Sequence, residues 1–344
     1  MSTTTAPVSA GPRILVVAPA WIGDMVIAHT LFQLLHRGTP GLQLDAVAPP
    51  ATRPLLDFMP EVADSFELAV SHGRLALAAR RRLARRLGAG GYDRAIVLPR
   101  SFKAALLPLL AGIPERVGFR GEARFGLLTD ARPDADRRAR PEQQRFAALA
   151  LPQGAPLPDD LPAPHLSVPD GLVAATLAAL GLVRPTTSLL ILAPGAEYGP
   201  SKRWPPEHFA ALARLEAARG CSVWLVGGPA DQPLGAAIAG QAEGAASDLT
   251  GRTTLAQAVA LLSLADAVVS NDSGLMHIAA ALGRRQIALF GSSDPRRTPP
   301  LNPAARILTL GLSCSPCFAR DCPLGHHRCL RDLAPAAVAA ALAA

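Results

Sequence analysis

The fold class predicted for this chain of 344 residues is α/β, with two doubly wound, Rossmann-like units. Three observations carry it. Short apolar runs alternate with helix-period segments, and this alternation occurs twice along the chain. The runs are continuously apolar, as in parallel strands buried on both faces. A proline-rich stretch separates the two series. Domains are therefore expected over 1–168 and 169–344, facing each other across a cleft, with the last helix free to pack back on the N-terminal domain.

The first series opens with Arg13-Ile-Leu-Val-Val-Ala18, a buried strand that ends at Pro19-Ala20-Trp21-Ile22-Gly23-Asp24. Ile27, Leu31, Leu34 and Leu35 then recur at helical spacing. Leu42–Ala48 reads as the second strand and Ala95–Leu98 as a later one. Between them lies a basic helical segment, Leu75–Leu87, with Arg80, Arg81, Arg82, Arg85 and Arg86. A second basic stretch, Arg132–Arg145, reads as a loop running into a helix. Residues 151–164 hold so many prolines that neither a long helix nor a central strand can form there. In the second series, strands are expected at 188–193, 222–227, 267–270 and 286–290. Helices are expected at 206–219, 232–242, 254–264 and 274–283.

Hydrophobic content of 49% is that of a packed globular protein, and a net charge of +7 favours anionic partners. Nucleic acid is not among them, because no helix-turn-helix, zinc-finger or RNA-binding signature is present. No G-x-G-x-x-G follows the first strand and no P-loop occurs, which argues against dehydrogenase and P-loop chemistry. The longest apolar candidate, Ala104–Ile113, is too short to span a membrane and contains Pro108. The first ten residues lack the basic start and apolar core of a signal peptide, so a cytoplasmic protein is expected.

Three loops at carboxyl ends of expected strands hold the polar chemistry. Gly23-Asp24 enters the first helix, where Asp24 either caps that helix or acts as a general base. The segment Pro194–Pro205 joins a glycine turn to Ser201, Lys202 and a proline that opens a helix, an arrangement suited to holding an anion. Of the 34 Lys and Arg residues only Lys103 and Lys202 are lysines, so these two positions call for a compact ammonium rather than a planar fork. Asn271-Asp272-Ser273-Gly274-Leu275-Met276-His277 offers backbone N–H groups, a hydroxyl and a carboxylate at a helix start, with His277 either in the site or packed in the core. Asp134-Ala135-Asp136 is a DxD string, but in an Arg-rich stretch that does not follow a strand it reads as a solvated loop. Cys314, Cys317, Cys322 and Cys329, with His326 and His327 between the last two, have a spacing open to two readings: a structural zinc or a reduced, cysteine-rich loop. Cys221 sits in an apolar run and reads as a buried small residue.

Together these blocks resemble the bacterial lipopolysaccharide heptosyltransferases, glycosyltransferase family 9, over nearly the whole chain. The resemblance rests on 20–25 (Ala-Trp-Ile-Gly-Asp-Met), 98–103 (Leu-Pro-Arg-Ser-Phe-Lys), 116–120 (Arg-Val-Gly-Phe-Arg), 194–205, 271–277 and 290–293 (Phe-Gly-Ser-Ser). It implies the GT-B fold, with ADP-heptose on the C-terminal domain and a lipid-linked sugar acceptor on the N-terminal one. It further implies inverting transfer of L-glycero-D-manno-heptose to the first heptose of the lipopolysaccharide inner core, with no metal or other cofactor. The alternatives are transfer at another inner-core position, or a nucleotide-sugar epimerase of the same shape. Asp24 takes the catalytic role. Gly195, Glu197, Ser201, Lys202, Arg203, Asp272, Ser273, Gly274 and His277 fall on the donor side, and Gly23, Lys103 and Arg120 on the acceptor side. Arg80–Arg86 either form a solvated helix face or, with Lys103, meet the acceptor or the inner-membrane surface.

Overall fold

The computed structural model describes residues 11–70, 73–134, 136–137 and 139–344. The first ten residues, on which the signal-peptide expectation rests, and Ala135 of the DxD string lie outside the described residues. In chain order the first half carries β1 (Arg13–Val17), α1 (Ile22–Gly38), β2 (Gln43–Ala48), β3 (Val62–Glu67), α2 (Leu77–Gly88), β4 (Arg94–Val97), α3 (Phe102–Leu110), β5 (Glu115–Phe119), β6 (Asp130–Arg132) and α4 (Glu142–Ala150). The second half carries α5 (Leu172–Leu180), β7 (Leu189–Ala193), α6 (Pro206–Ala218), β8 (Ser222–Leu225), α7 (Gln232–Gln241), β9 (Ser247–Asp248) and α8 (Leu255–Leu264). It continues through β10 (Ala267–Asn271), α9 (Gly274–Ala281), β11 (Arg285–Leu289), β12 (Ala305–Leu308), α10 (Arg328–Arg331) and α11 (Pro335–Ala343).

Two six-stranded sheets form, ordered β3-β2-β1-β4-β5-β6 and β12-β11-β10-β7-β8-β9. Every pairing is parallel. Numbered from the first strand of each half, both orders are 3-2-1-4-5-6. Such sheets take ligands beyond the carboxyl ends of the strands, where the order reverses. That point lies between β1 and β4 in the first sheet and between β7 and β10 in the second. The strands flanking it are the continuously apolar ones: β1 is buried from Ile14 to Val17, and β7 and β10 are buried throughout.

Contacts divide the chain into one unit of Met1–Ala20, Ala28–Arg137 and Gln143–Pro162, and a second of Trp21–Ile27, Arg138–Glu142 and Ala163–Ala344. In the first unit Leu15, Val47, Leu87, Ala95, Leu107 and Ile113 pack together. In the second, Trp204 and Phe209 anchor a larger cluster that also takes in Val338, Ala339 and Leu342 of α11. The last helix packs on α6 and β11. Its three apolar side chains recur on one face and belong to the same core cluster as Trp204, whose fully buried indole N–H donates to the Leu333 carbonyl at 2.9 Å. Among the described residues no helix is long and apolar enough to cross a membrane.

Candidate active site

The switch point of the second sheet is walled by the two loops that follow β7 and β10. Gly195 opens the first loop in close contact with the Asp231 carboxylate; a Cβ there would stand 2.3 Å from Oδ2. Asp231 is itself held by accepting the Gly228 N–H at 3.0 Å. At the tip of the loop a short 3₁₀ turn, Pro200–Lys202, turns Lys202 toward the second loop. Its Nζ donates to Asp272 Oδ2 at 2.5 Å and lies 5.1 Å from the centre of the Tyr198 ring. The same oxygen of Asp272 accepts the Ser293 hydroxyl at 2.5 Å. Asp272 is buried and Lys202 only partly so, which leaves the ammonium with two further donors and one open side.

The other expected donor residues divide into two groups. Ser273 precedes α9 and Gly274 is the first residue of that helix. The Ser273 hydroxyl makes no cap bond and is buried without a hydrogen-bond partner. An unpaired hydroxyl beside the free N–H groups of a helix start is fitted to an anionic oxygen. Glu197 is exposed, and Arg203 donates from Nε to the Ala196 carbonyl at 3.3 Å. Ser201 is engaged within the protein. It is buried, its hydroxyl donates to the Ala319 carbonyl at 2.5 Å and meets Ser292 Oγ at 3.0 Å, and its N–H goes to the Arg320 carbonyl at 3.2 Å. Both its donors are used in holding the loop against the 319–320 backbone.

His277 is buried one turn into α9, and burial pulls its pKa down to about 4; Asp272 opposes this shift and Lys202 adds to it. The ring is neutral near pH 7, and it is packed within reach of the charges of Asp272 and Lys202. Gly23, which groups with this unit, lies so close that a Cβ would stand 2.7 Å from His277 Cδ2. The unfolded chain protonates this histidine near its ordinary pKa of 6.5, the folded chain only near 4. The corresponding stability is present in full above pH 6.5 and is lost as pH falls toward 4. Its size is on the order of 3 kcal/mol. Urea unfolding between pH 7 and 4 should show this decline, and His277→Gln should flatten it; an unchanged slope would contradict the assignment.

The expected catalytic residue Asp24 and the expected acceptor residue Lys103 follow the two strands that flank the switch point of the first sheet, and Arg120 follows the next strand, β5. Asp24 is half-buried in the first turn of α1, which follows β1. Lys103 is half-buried in the first turn of α3, which follows β4. Arg120 is exposed, donates from Nε to the Ala131 carbonyl at 3.1 Å, and its own carbonyl accepts Arg100 at 3.0 and 3.1 Å. In the basic helix, Arg81, Arg82, Arg85 and Arg86 are exposed, with the Arg86 guanidinium 5.0 Å from the Phe66 ring centre. Arg80 departs from that face: it is buried, and its Nε donates to the Leu75 carbonyl at 2.8 Å. Asp134 of the DxD string is held by Arg145 at 2.9 and 3.0 Å and by Arg100 at 3.1 Å, which uses its charge inside the protein.

The cysteine spacing does not assemble a zinc ligand set. All five cysteines are free, and among the described residues no group of three or more His, Cys, Asp or Glu is arranged to hold a metal ion. Cys221, expected to be buried, is only half-buried. Cys314, Cys317, Cys322 and Cys329 instead line one pocket together with Ser201 and Ser292. Backbone bonds shape this loop: Phe318 N–H donates to the Ser292 carbonyl at 2.7 Å, and the Phe318 carbonyl accepts the Tyr198 hydroxyl at 2.6 Å. Cys317 is left exposed.

Asn271, Ser292 and Ser293 were absent from the expected site, although their blocks were noticed. A sign was available for Asn271: an Asn closing a strand that opens with the apolar run Ala267-Val-Val269 is disfavoured unless its amide has a task.

Residues 80–328 match glycosyltransferase family 9 (heptosyltransferase). The chain belongs to this family. It is 42% identical to the lipopolysaccharide heptosyltransferase 2 of Salmonella typhimurium, over 94% of this chain and 95% of that protein. It is also 42% identical to the lipooligosaccharide heptosyltransferase 2 of Haemophilus influenzae, over 87% and 88% of the two chains. The solved structure of the ADP-heptose lps heptosyltransferase II of E. coli superposes with a TM-score of 0.86 at 39% identity, covering 96% of this chain and 97% of that one. The two-sheet architecture is that of a GT-B glycosyltransferase.

Proposed function

We propose that this chain is an inverting heptosyltransferase that moves L-glycero-D-manno-heptose from ADP-heptose to the first heptose of the lipopolysaccharide inner core. The observation that carries the reading is the ammonium of Lys202, held 2.5 Å from a buried carboxylate at the switch point of the second sheet, beside the unpartnered Ser273 hydroxyl. In the reaction an acceptor hydroxyl attacks the anomeric carbon, the bond from that carbon to the phosphate oxygen breaks, and ADP leaves. Asp24 takes the hydroxyl proton as the new bond forms. Lys202, the N–H groups at the start of α9 and the Ser273 hydroxyl meet the charge that develops on the departing diphosphate. These groups supply the positive field, so the reaction is assigned no metal requirement. The names of the relatives support both the donor and the acceptor class.

Lys103 and Arg120 are assigned to the acidic acceptor. The exposed arginines of α2 are assigned to the anionic inner-membrane surface at the cytoplasmic face, where each basic residue contributes about 1 kcal/mol. The test is ADP release from ADP-heptose with inner-core acceptors carrying zero, one or two heptoses, with and without a chelator. Turnover is expected with the one-heptose acceptor and is unaffected by chelation. Turnover with the heptose-free acceptor alone would move the assignment to another inner-core position, and loss of activity on chelation would overturn the metal-free mechanism.

A further inference from the structure

Asn271, the last residue of β10, is fully buried between the two ends of the loop that bears Lys202. Its Nδ2 donates to the Pro194 carbonyl at 2.7 Å, and its Oδ1 accepts the Trp204 N–H at 3.0 Å. The partners fix the orientation of the amide, since a carbonyl only accepts and an N–H only donates. One side chain therefore closes the segment 194–204 at both feet, and the neighbouring Asp272 holds the tip of that segment through Lys202. The clamp has firm ground on each side. Pro194 directly follows fully buried β7, and Trp204 is fully buried, with its ring centre 4.8 Å from that of Phe209. Among small side chains only an amide both donates and accepts in this span: Asp lacks the donor, and the hydroxyl of Ser is too short to reach two groups on opposite sides.

We propose that Asn271 is a positioning residue for glycosyl transfer: it sets the height and direction of the 194–204 loop so that Lys202 meets the leaving diphosphate. The inference rests on the donor reading of Lys202. Without the clamp the loop keeps its anchor at Asp272 but loses its fixed base, so the ammonium is spread over several placements. Positional spread at a charge-stabilising group weakens donor binding and slows bond breaking, because the stabilisation depends on preorganisation. The acceptor side has no part in this arrangement.

The test compares Asn271→Ala and the near-isosteric Asn271→Asp with the parent enzyme, alone and in a Lys202→Ala background. With folding checked by circular dichroism and thermal unfolding, each single variant is expected to raise the KM for ADP-heptose by about tenfold and lower kcat, as befits the loss of buried hydrogen bonds. The KM for the acceptor should stay unchanged. In the Lys202→Ala background the further effect of Asn271→Ala on donor KM should shrink to about twofold or less, the coupling expected of residues acting through one another. If Asn271→Ala fails to fold, the same comparison with Asn271→Asp decides the matter. Unchanged donor kinetics in a folded variant, an undiminished effect when Lys202 is absent, or a shift confined to acceptor KM would each overturn the proposal. A parent enzyme that turns over ADP-heptose beside unaffected Asn271 variants refutes this inference alone, whereas an inactive parent refutes the donor reading beneath it.

Discussion

Lys202→Ala should lower kcat/KM for ADP-heptose by about 100- to 1,000-fold, the usual cost of removing one preorganised donor from a developing oxyanion. The geometry predicts a second consequence. Lys202 is the positive partner of Asp272, whose side chain is buried and whose Oδ2 also accepts the Ser293 hydroxyl. Removing the ammonium leaves a buried carboxylate without its countercharge, an error that costs about 3–5 kcal/mol in comparable pairs. Stability and activity should therefore fall together in the single variant. Adding Asp272→Asn should restore much of the stability, because the unpaired charge is gone, while turnover stays low. Lys202→Arg separates the same two terms, since the pair to Asp272 survives but the planar fork cannot present a compact ammonium to a diphosphate. A Lys202→Ala enzyme within a few-fold of the parent in kcat/KM would remove the leaving-group role.

Asp24→Asn should reduce kcat by about 100- to 10,000-fold, the range for loss of a positioned general base. Binding of ADP-heptose should change little, because the substitution leaves Lys202 and the Ser273 hydroxyl, the groups assigned to the diphosphate, in place. Equilibrium binding of the nucleotide sugar and single-turnover transfer measure the two quantities separately. The outcome that sinks the assignment is the reverse pattern, in which the nucleotide no longer binds but each complex that does form reacts at the parent rate. Asp24→Asn is the sharper of the two experiments, because the amide keeps the size of the side chain while removing the carboxylate's charge and its capacity to take a proton.

Legibility in the sequence followed burial. The strands Arg13–Val17, Leu189–Ala193 and Ala267–Asn271 are apolar because water reaches neither face, and all three were expected within a residue of their observed limits. β3, with Val-Ala-Asp-Ser-Phe-Glu, and β12, with Ala-Arg-Ile-Leu, went unrecognised because edge strands keep polar and exposed positions. β9 has only two residues, too few for any period to register. In the site, the glycine turn, the rare lysine and the Asp-Ser-Gly helix start were visible because each is a local departure from its surroundings. The commitment of Ser201 to the 319–320 backbone was not visible, since its partners lie more than 100 residues away.

The sequence by itself determined the two strand–helix series, the polar loops at their strand ends and the singling out of Lys202 and Asp24, because these rest on local period and composition. Tertiary structure alone decided which loops meet. Hydrogen bonding of β7 to β10 makes neighbours of residues 70 positions apart, Lys202 and Asp272, and lets the Asn271 amide join Pro194 to Trp204. It also decided that four well-spaced cysteines line a pocket wall without forming a ligand set. The physical reason is common to these cases: a contact between distant residues costs chain entropy that only the packed sheet offsets, and no local pattern records it.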